Sequence, residues 1–104
     1  MARRELVFGM SRADGSALSD ADWGSFLEGE VTPRFPEGMT VLTGYGQWRN
    51  TAGDIRKETS KMLIIWHRPS PEADRKIEEI RTLFKARFQQ ESVMRVDGMS
   101  CVSF

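Results

Sequence analysis

The sequence predicts an α+β domain of ferredoxin-like type, βαββαβ, in which a four-stranded antiparallel sheet carries two helices on one face. Three observations predict it. Apolar spacing alternates between the strand period and the helical period in the order strand, helix, strand, strand, helix, strand. Ser19 and Ser70 each stand just before a helical stripe, where an N-cap belongs. The run Asn50-Thr51-Ala52-Gly53-Asp54 separates the two middle strands as a hairpin turn.

The first strand is expected over residues 5–11, a short apolar and aromatic stretch that ends at the breaker-rich Ala13-Asp14-Gly15-Ser16. Ser19 then caps a helix whose first turn holds Asp20 and Asp22, carboxylates that complement the helix dipole. Trp23, Phe26, Leu27 and Val31 form its apolar face, and Pro33 disfavours helical geometry at Thr32, so the helix ends near Val31. A second strand follows over residues 39–49. Its Gly44 and Gly46 are two apart and so share a face, which they leave open to close backbone approach, a bulge or a ligand. The third strand, residues 55–66, contains the unbroken apolar run Met62-Leu63-Ile64-Ile65-Trp66, the mark of a central strand covered on both sides. Ser70-Pro71-Glu72 opens the second helix, whose stripe of Ala73, Ile77, Ile80, Phe84 and Phe88 carries it to about Gln89. The segment 91–104 reads as a last strand bent at Asp97-Gly98.

At 104 residues the chain is a single domain, residues 1–104, with enough core to fold without metals or disulfides. Fifteen Lys and Arg balance fifteen Asp and Glu, so the basic field typical of nucleic-acid binders is absent and no nucleic-acid partner is expected. No apolar run is long enough for a membrane span, and a soluble protein is expected. A single cysteine, Cys101, excludes an internal disulfide; it lies in an apolar run and reads as a small core residue. No export signal is visible after Met1-Ala2-Arg3-Arg4. A cytoplasmic location is therefore expected for the chain as it stands, and an exported one if a leader has been removed.

The third strand also predicts a partner. Leu63 and Ile65 point to one side, and Met62, Ile64 and Trp66 to the other, so the helix-free face is apolar as well. A homodimer formed through that face, or a ligand cavity against it, is the expected cover.

No complete catalytic motif is present, and the ligand-binding candidates are Tyr45, Gln47, Trp48, Arg49, Lys61 and His67. On a regular strand Tyr45, Gln47 and Arg49 share a face, and a phenol, an amide and a guanidinium there suit a small anionic or carbonyl ligand. The structural alternative packs Tyr45 and Trp48 into the core and leaves Gln47 and Arg49 to a turn or a dimer contact. Lys61 falls on the Leu63 side and joins Arg49 in a cationic mouth; otherwise the charges of residues 56–61 form cross-strand pairs with Arg49 and its neighbours. His67 is the only histidine. With no second histidine and no cysteine pair at ligand spacing, no metal site and no cofactor is predicted; its candidate roles are general base or haem ligand, and the structural alternative is an isolated exposed histidine. Glu78 and Glu79 are adjacent on a helix, hence on different azimuths, and belong to a solvated face.

The segments Glu5-Leu6-Val7-Phe8-Gly9-Met10-Ser11, Val31-Thr32-Pro33-Arg34-Phe35-Pro36, Gly44-Tyr45-Gly46-Gln47-Trp48-Arg49, Glu58-Thr59-Ser60-Lys61 and Cys101-Val102-Ser103-Phe104 together resemble a bacterial family of uncharacterised proteins, domain-of-unknown-function family 3574. The likeness spans nearly the whole chain, and the Gly-Gln-Trp-Arg core at Gly46 to Arg49 is its most specific part. It implies no activity, substrate or catalytic residue. The expected function is that of a small dimeric ligand-binding or structural domain. The rival is a small dimeric α/β-barrel enzyme, oxygenase-like or isomerase-like and cofactor-independent, with a pocket between helices and sheet for an aromatic or carbonyl compound.

Overall fold

A computed structural model describes residues 1–104. Its elements are β1 (Ala2–Gly9), α1 (Asp20–Phe26), a π-helical turn (Leu27–Val31), β2 (Thr40–Arg49), β3 (Ile55–His67), α2 (Pro71–Phe88) and β4 (Met94–Met99). The strands form one antiparallel sheet in the order β2-β3-β1-β4, as the ferredoxin-like reading requires.

β1 begins three residues earlier than apolarity alone suggests, because its arginines are satisfied in place. Arg4 lies on the helix side, 2.9 Å from Asp97, while Arg3 on the other side pairs with Glu5 at 2.6 Å and sits 5.8 Å from the Trp66 ring centre. Ser19 caps α1 reciprocally: its hydroxyl accepts from the Asp22 N–H at 3.0 Å, and its own N–H donates to the Asp22 carboxylate at 3.1 Å. These two contacts, backbone first, hold the Asp22 carboxyl below its ordinary pKa. The last turn of the helix widens, Thr32 N–H donating to Leu27 O at 2.9 Å, and this wider turn ends with Val31 fully buried before Pro33 stops it. α2 starts on the Ser70 hydroxyl, which accepts from Ala73 N–H at 3.0 Å, and ends at Gln89 in the left-handed region, φ 54°.

Between helices and sheet lies an aromatic core. Phe8, Trp23, Phe26, Phe84 and Phe88 stack and tilt against one another with ring centres 4.7–6.2 Å apart, over Leu6, Leu63 and Ile65. These side chains occupy the middle of the layer between helices and sheet, where the barrel-enzyme alternative places its pocket.

Two further expectations are corrected. β4 covers only Met94–Met99 and runs through Asp97-Gly98 without a break, because Asp97 accepts from Arg95 Nε at 2.9 Å and pairs with Arg4 across the strand. Residues 101–104 lie outside any strand and are exposed, Cys101 included, so that thiol is not a core residue. The β2–β3 hairpin is long, pairing Thr40 with Ile64 at one end and Arg49 with Ile55 at the other. Its distal half runs past the helices, and the residues from 45 to 57 are exposed except Asn50. No helix is long and apolar enough to cross a membrane.

Candidate functional site

The register assigns every strand residue to a face. On the helix side of the hairpin stand Val41, Thr43, Tyr45, Gln47 and Arg49. Tyr45, Gln47 and Arg49 therefore share a face as expected, but in a row along an edge strand, each roughly 6.6 Å from the next. Tyr45 is 86% exposed and does not pack into the core. Tyr45 and Gln47 border only a shallow depression of about 300 Å³ with Lys57 and Thr59.

Lys61 does not join Arg49. Its ammonium donates to Thr43 Oγ1 at 3.0 Å and pairs with Asp20 at 3.3 Å, tying the start of α1 to the sheet, and Arg49 lies six residue positions away along the hairpin. Nor do the charges of β3 pair across the hairpin: Arg56 faces Trp48, Lys57 faces Gln47, Glu58 faces Gly46, and Arg49 faces Ile55. His67 is at the opposite end of the sheet, and both of its ring nitrogens are engaged. Arg4 Nε–H donates to Nε2 at 3.3 Å, and Nδ1 lies 2.8 Å from the Arg68 carbonyl, to which it donates in the matching tautomer. Phe35 is centred 5.9 Å from its ring, and His67 lines a depression of about 410 Å³ together with Arg34, Arg68 and Lys76. Tyr45, Gln47 and Arg49 thus stay together along the edge strand, Lys61 and His67 lie apart from them, and Trp48 alone faces elsewhere.

That place is the other side of the sheet. Gly9, Gly44, Gly46 and Gly98, the four strand glycines, all fall on the helix-free face. Its hairpin end forms a groove of about 760 Å³, floored by Gly9 and Ser60 and bordered by Trp48, Arg56, Met94 and Gln90. Glu58 stands in it between two glycines. Gly46 is directly across on β2, and on the other flank a Cβ placed on Gly9 would fall 2.5 Å from Glu58 Oε1. The carboxylate thus lies over the Gly9 backbone, while the space beside Gly46 is open.

Glu58 and Gly9 escaped the sequence reading. Arg56-Lys57-Glu58 looks like an ordinary alternation of surface charge, and only the register shows that Glu58 faces the side bearing the glycines.

Residues 3–104 match the model of a family described as a protein of unknown function, DUF3574. No curated protein matches the chain. Among solved structures, a phage SAM lyase in complex with S-methyl-5'-thioadenosine and a phage SAM lyase in the apo state are similar in fold. Each has a TM-score of 0.69 and 15% identity, with 93% of this chain covered and 79% and 78% of theirs.

Proposed function

The chain belongs to the DUF3574 family, and for this member we propose a self-associating domain that holds a small molecule against its helix-free sheet face. One observation carries the reading. Leu42, Trp48, Trp66, Met94 and Val96 all lie on that face, each at least 41% exposed, and no element of the chain covers them. A second copy is the occupant of matching shape and character. Four strands at ~4.8 Å spacing and about eight residues at ~3.3 Å give roughly 500 Å² per copy. Two copies reach about 1,000 Å², the lower bound of a stable interface. Met62 and Ile64 supply its centre, and the hairpin groove remains at its rim, walled by the second copy.

Sedimentation of the purified chain tests this. A dimer at about 10 µM is expected, and Leu42→Glu together with Val96→Glu yields a monomer with an unchanged circular dichroism spectrum. A wild-type chain that stays monomeric up to ~100 µM overturns the assembly reading.

An enzymatic reading is favoured by the likeness to phage SAM lyase. Its pocket is then the open-face groove, since aromatic side chains occupy the middle of the layer under the helices. Incubation with SAM, followed by chromatography, decides it: consumption above the uncatalysed rate supports lyase-type activity, and none removes it.

A further inference from the structure

We propose that the open-face groove binds a small zwitterion carrying a planar ring, with Glu58 taking its ammonium group, Arg56 its carboxylate and Trp48 its ring. This rests on the ligand-binding half of the reading above and specifies its chemistry. The strongest ground is an imbalance of charge. Among the half-buried carboxylates, Glu5 has Arg3, Asp22 has Arg12, Glu30 and Glu79 have Arg34, and Glu78 has Arg81 and Arg95. Glu58 is half-buried too, and it makes no ion pair and no side-chain hydrogen bond, although Arg12, Arg56 and Lys57 border the same groove. A carboxylate partly removed from water without a counter-charge costs stability, so a position that keeps one, lying over the bare backbone of Gly9, is suited to a cationic guest.

The neighbours define the rest of that guest. Arg56 is two residues away on the same face, about 6.6 Å along β3, and makes no ion pair of its own. It is a free guanidinium for a carboxylate. Trp48, 55% exposed, lies directly across from Arg56, within reach of a ring seated between them. Arg12 on the far rim does not compete for Glu58, because it is held by Asp22, Ser16 and the Ala17 carbonyl. Gln90 is fixed through its Nε2, which donates to Ser11 O at 2.8 Å, so its carbonyl oxygen is left as a further acceptor beside Gly9.

Three probes with one ring separate these roles: L-phenylalanine, phenethylamine and 3-phenylpropionate, titrated into the full chain and followed by NMR at the Trp48 indole N–H and the Gly9 amide. L-Phenylalanine is expected to bind most tightly. Glu58→Gln, which keeps shape and removes charge, lowers the affinity for L-phenylalanine and phenethylamine about tenfold and leaves 3-phenylpropionate unchanged; Arg56→Gln weakens L-phenylalanine and 3-phenylpropionate instead. Equal affinity for all three probes, an unaltered response in Glu58→Gln, or no shift at ~50 mM of any probe overturns the proposal. Sedimentation of the same samples reports assembly separately. A dimer that ignores the probes overturns the zwitterion site and leaves self-association standing, and a monomer that binds them does the reverse.

Discussion

Two regions of the sheet, the β1–β4 edge under α2 and the hairpin end of the open face, handle charge in opposite ways. On the helix side of β1 and β4, Arg95 is only 12% exposed and reaches Asp74, Glu78 and Asp97 at once, with Arg4 on the far side of Asp97. Burial disfavours the Arg95 guanidinium, yet its hydrogen bonds to Asp74 and Asp97 outweigh that and raise its pKa. On the open side, Glu58 and Arg56 stand one pleat apart with no partner. The first arrangement spends all its charge on holding the edge strand and α2 together. The second leaves its charge unpaired on a surface that the chain does not cover.

The sharpest way to test that contrast is to damage each face and compare. Phe84→Ala, in the aromatic core under the helices, is expected to cost about 3–5 kcal/mol in urea unfolding, enough to threaten folding. Trp48→Ala on the open face is expected to cost under about 1 kcal/mol, since its ring is more than half exposed. Equal losses would erase the distinction between a face that holds the fold together and one that does not.

A middle-sized effect is expected from the charge cluster. Arg95→Met removes three pairings but keeps the apolar stem, and because the three carboxylates are about half exposed the loss is limited to about 1–2 kcal/mol. Glu58→Gln, by contrast, is expected to leave the unfolding midpoint unchanged or slightly raised, because it relieves an unpaired charge. A clear drop would mean that Glu58 supports the fold.

The smallest effect is in acid. Hydrogen bonds from Arg95 hold the Asp74 and Asp97 carboxyls below their ordinary value of 3.8. Depressed carboxyl pKa values contribute stability above the unfolded value, and that contribution is lost as pH falls through the folded values. The melting temperature is therefore expected to be flat from about pH 7 to 5 and to fall below about pH 4, with a shallower fall in Arg95→Met.

What was legible from the residues was local. Ser19 and Ser70 announce their helices because an N-cap acts within three residues, and the turn at residues 50–54 closes on itself through Asn50 Oδ1, which accepts from Asp54 N–H at 2.9 Å. The division of β3 into Leu63 and Ile65 against Met62, Ile64 and Trp66 follows from strand periodicity alone. Long-range effects were not legible. β1 reaches back to Ala2 because Asp97 and His67, far off in sequence, receive Arg4. Tyr45, apolar enough for a core, stays exposed because the hairpin is longer than the helices that would cover it.

From its sequence alone the chain specifies element order, helix starts, the aromatic core and the apolar character of both sheet faces, since periodicity and capping depend on neighbours a few residues apart. Only the tertiary structure decided where chemistry collects. It paired off Lys61 and His67, strung Tyr45, Gln47 and Arg49 along an exposed edge, and laid the Glu58 carboxylate over Gly9. Such placements depend on strand register and on which charges find partners across the fold, and both are set by contacts between residues distant in sequence.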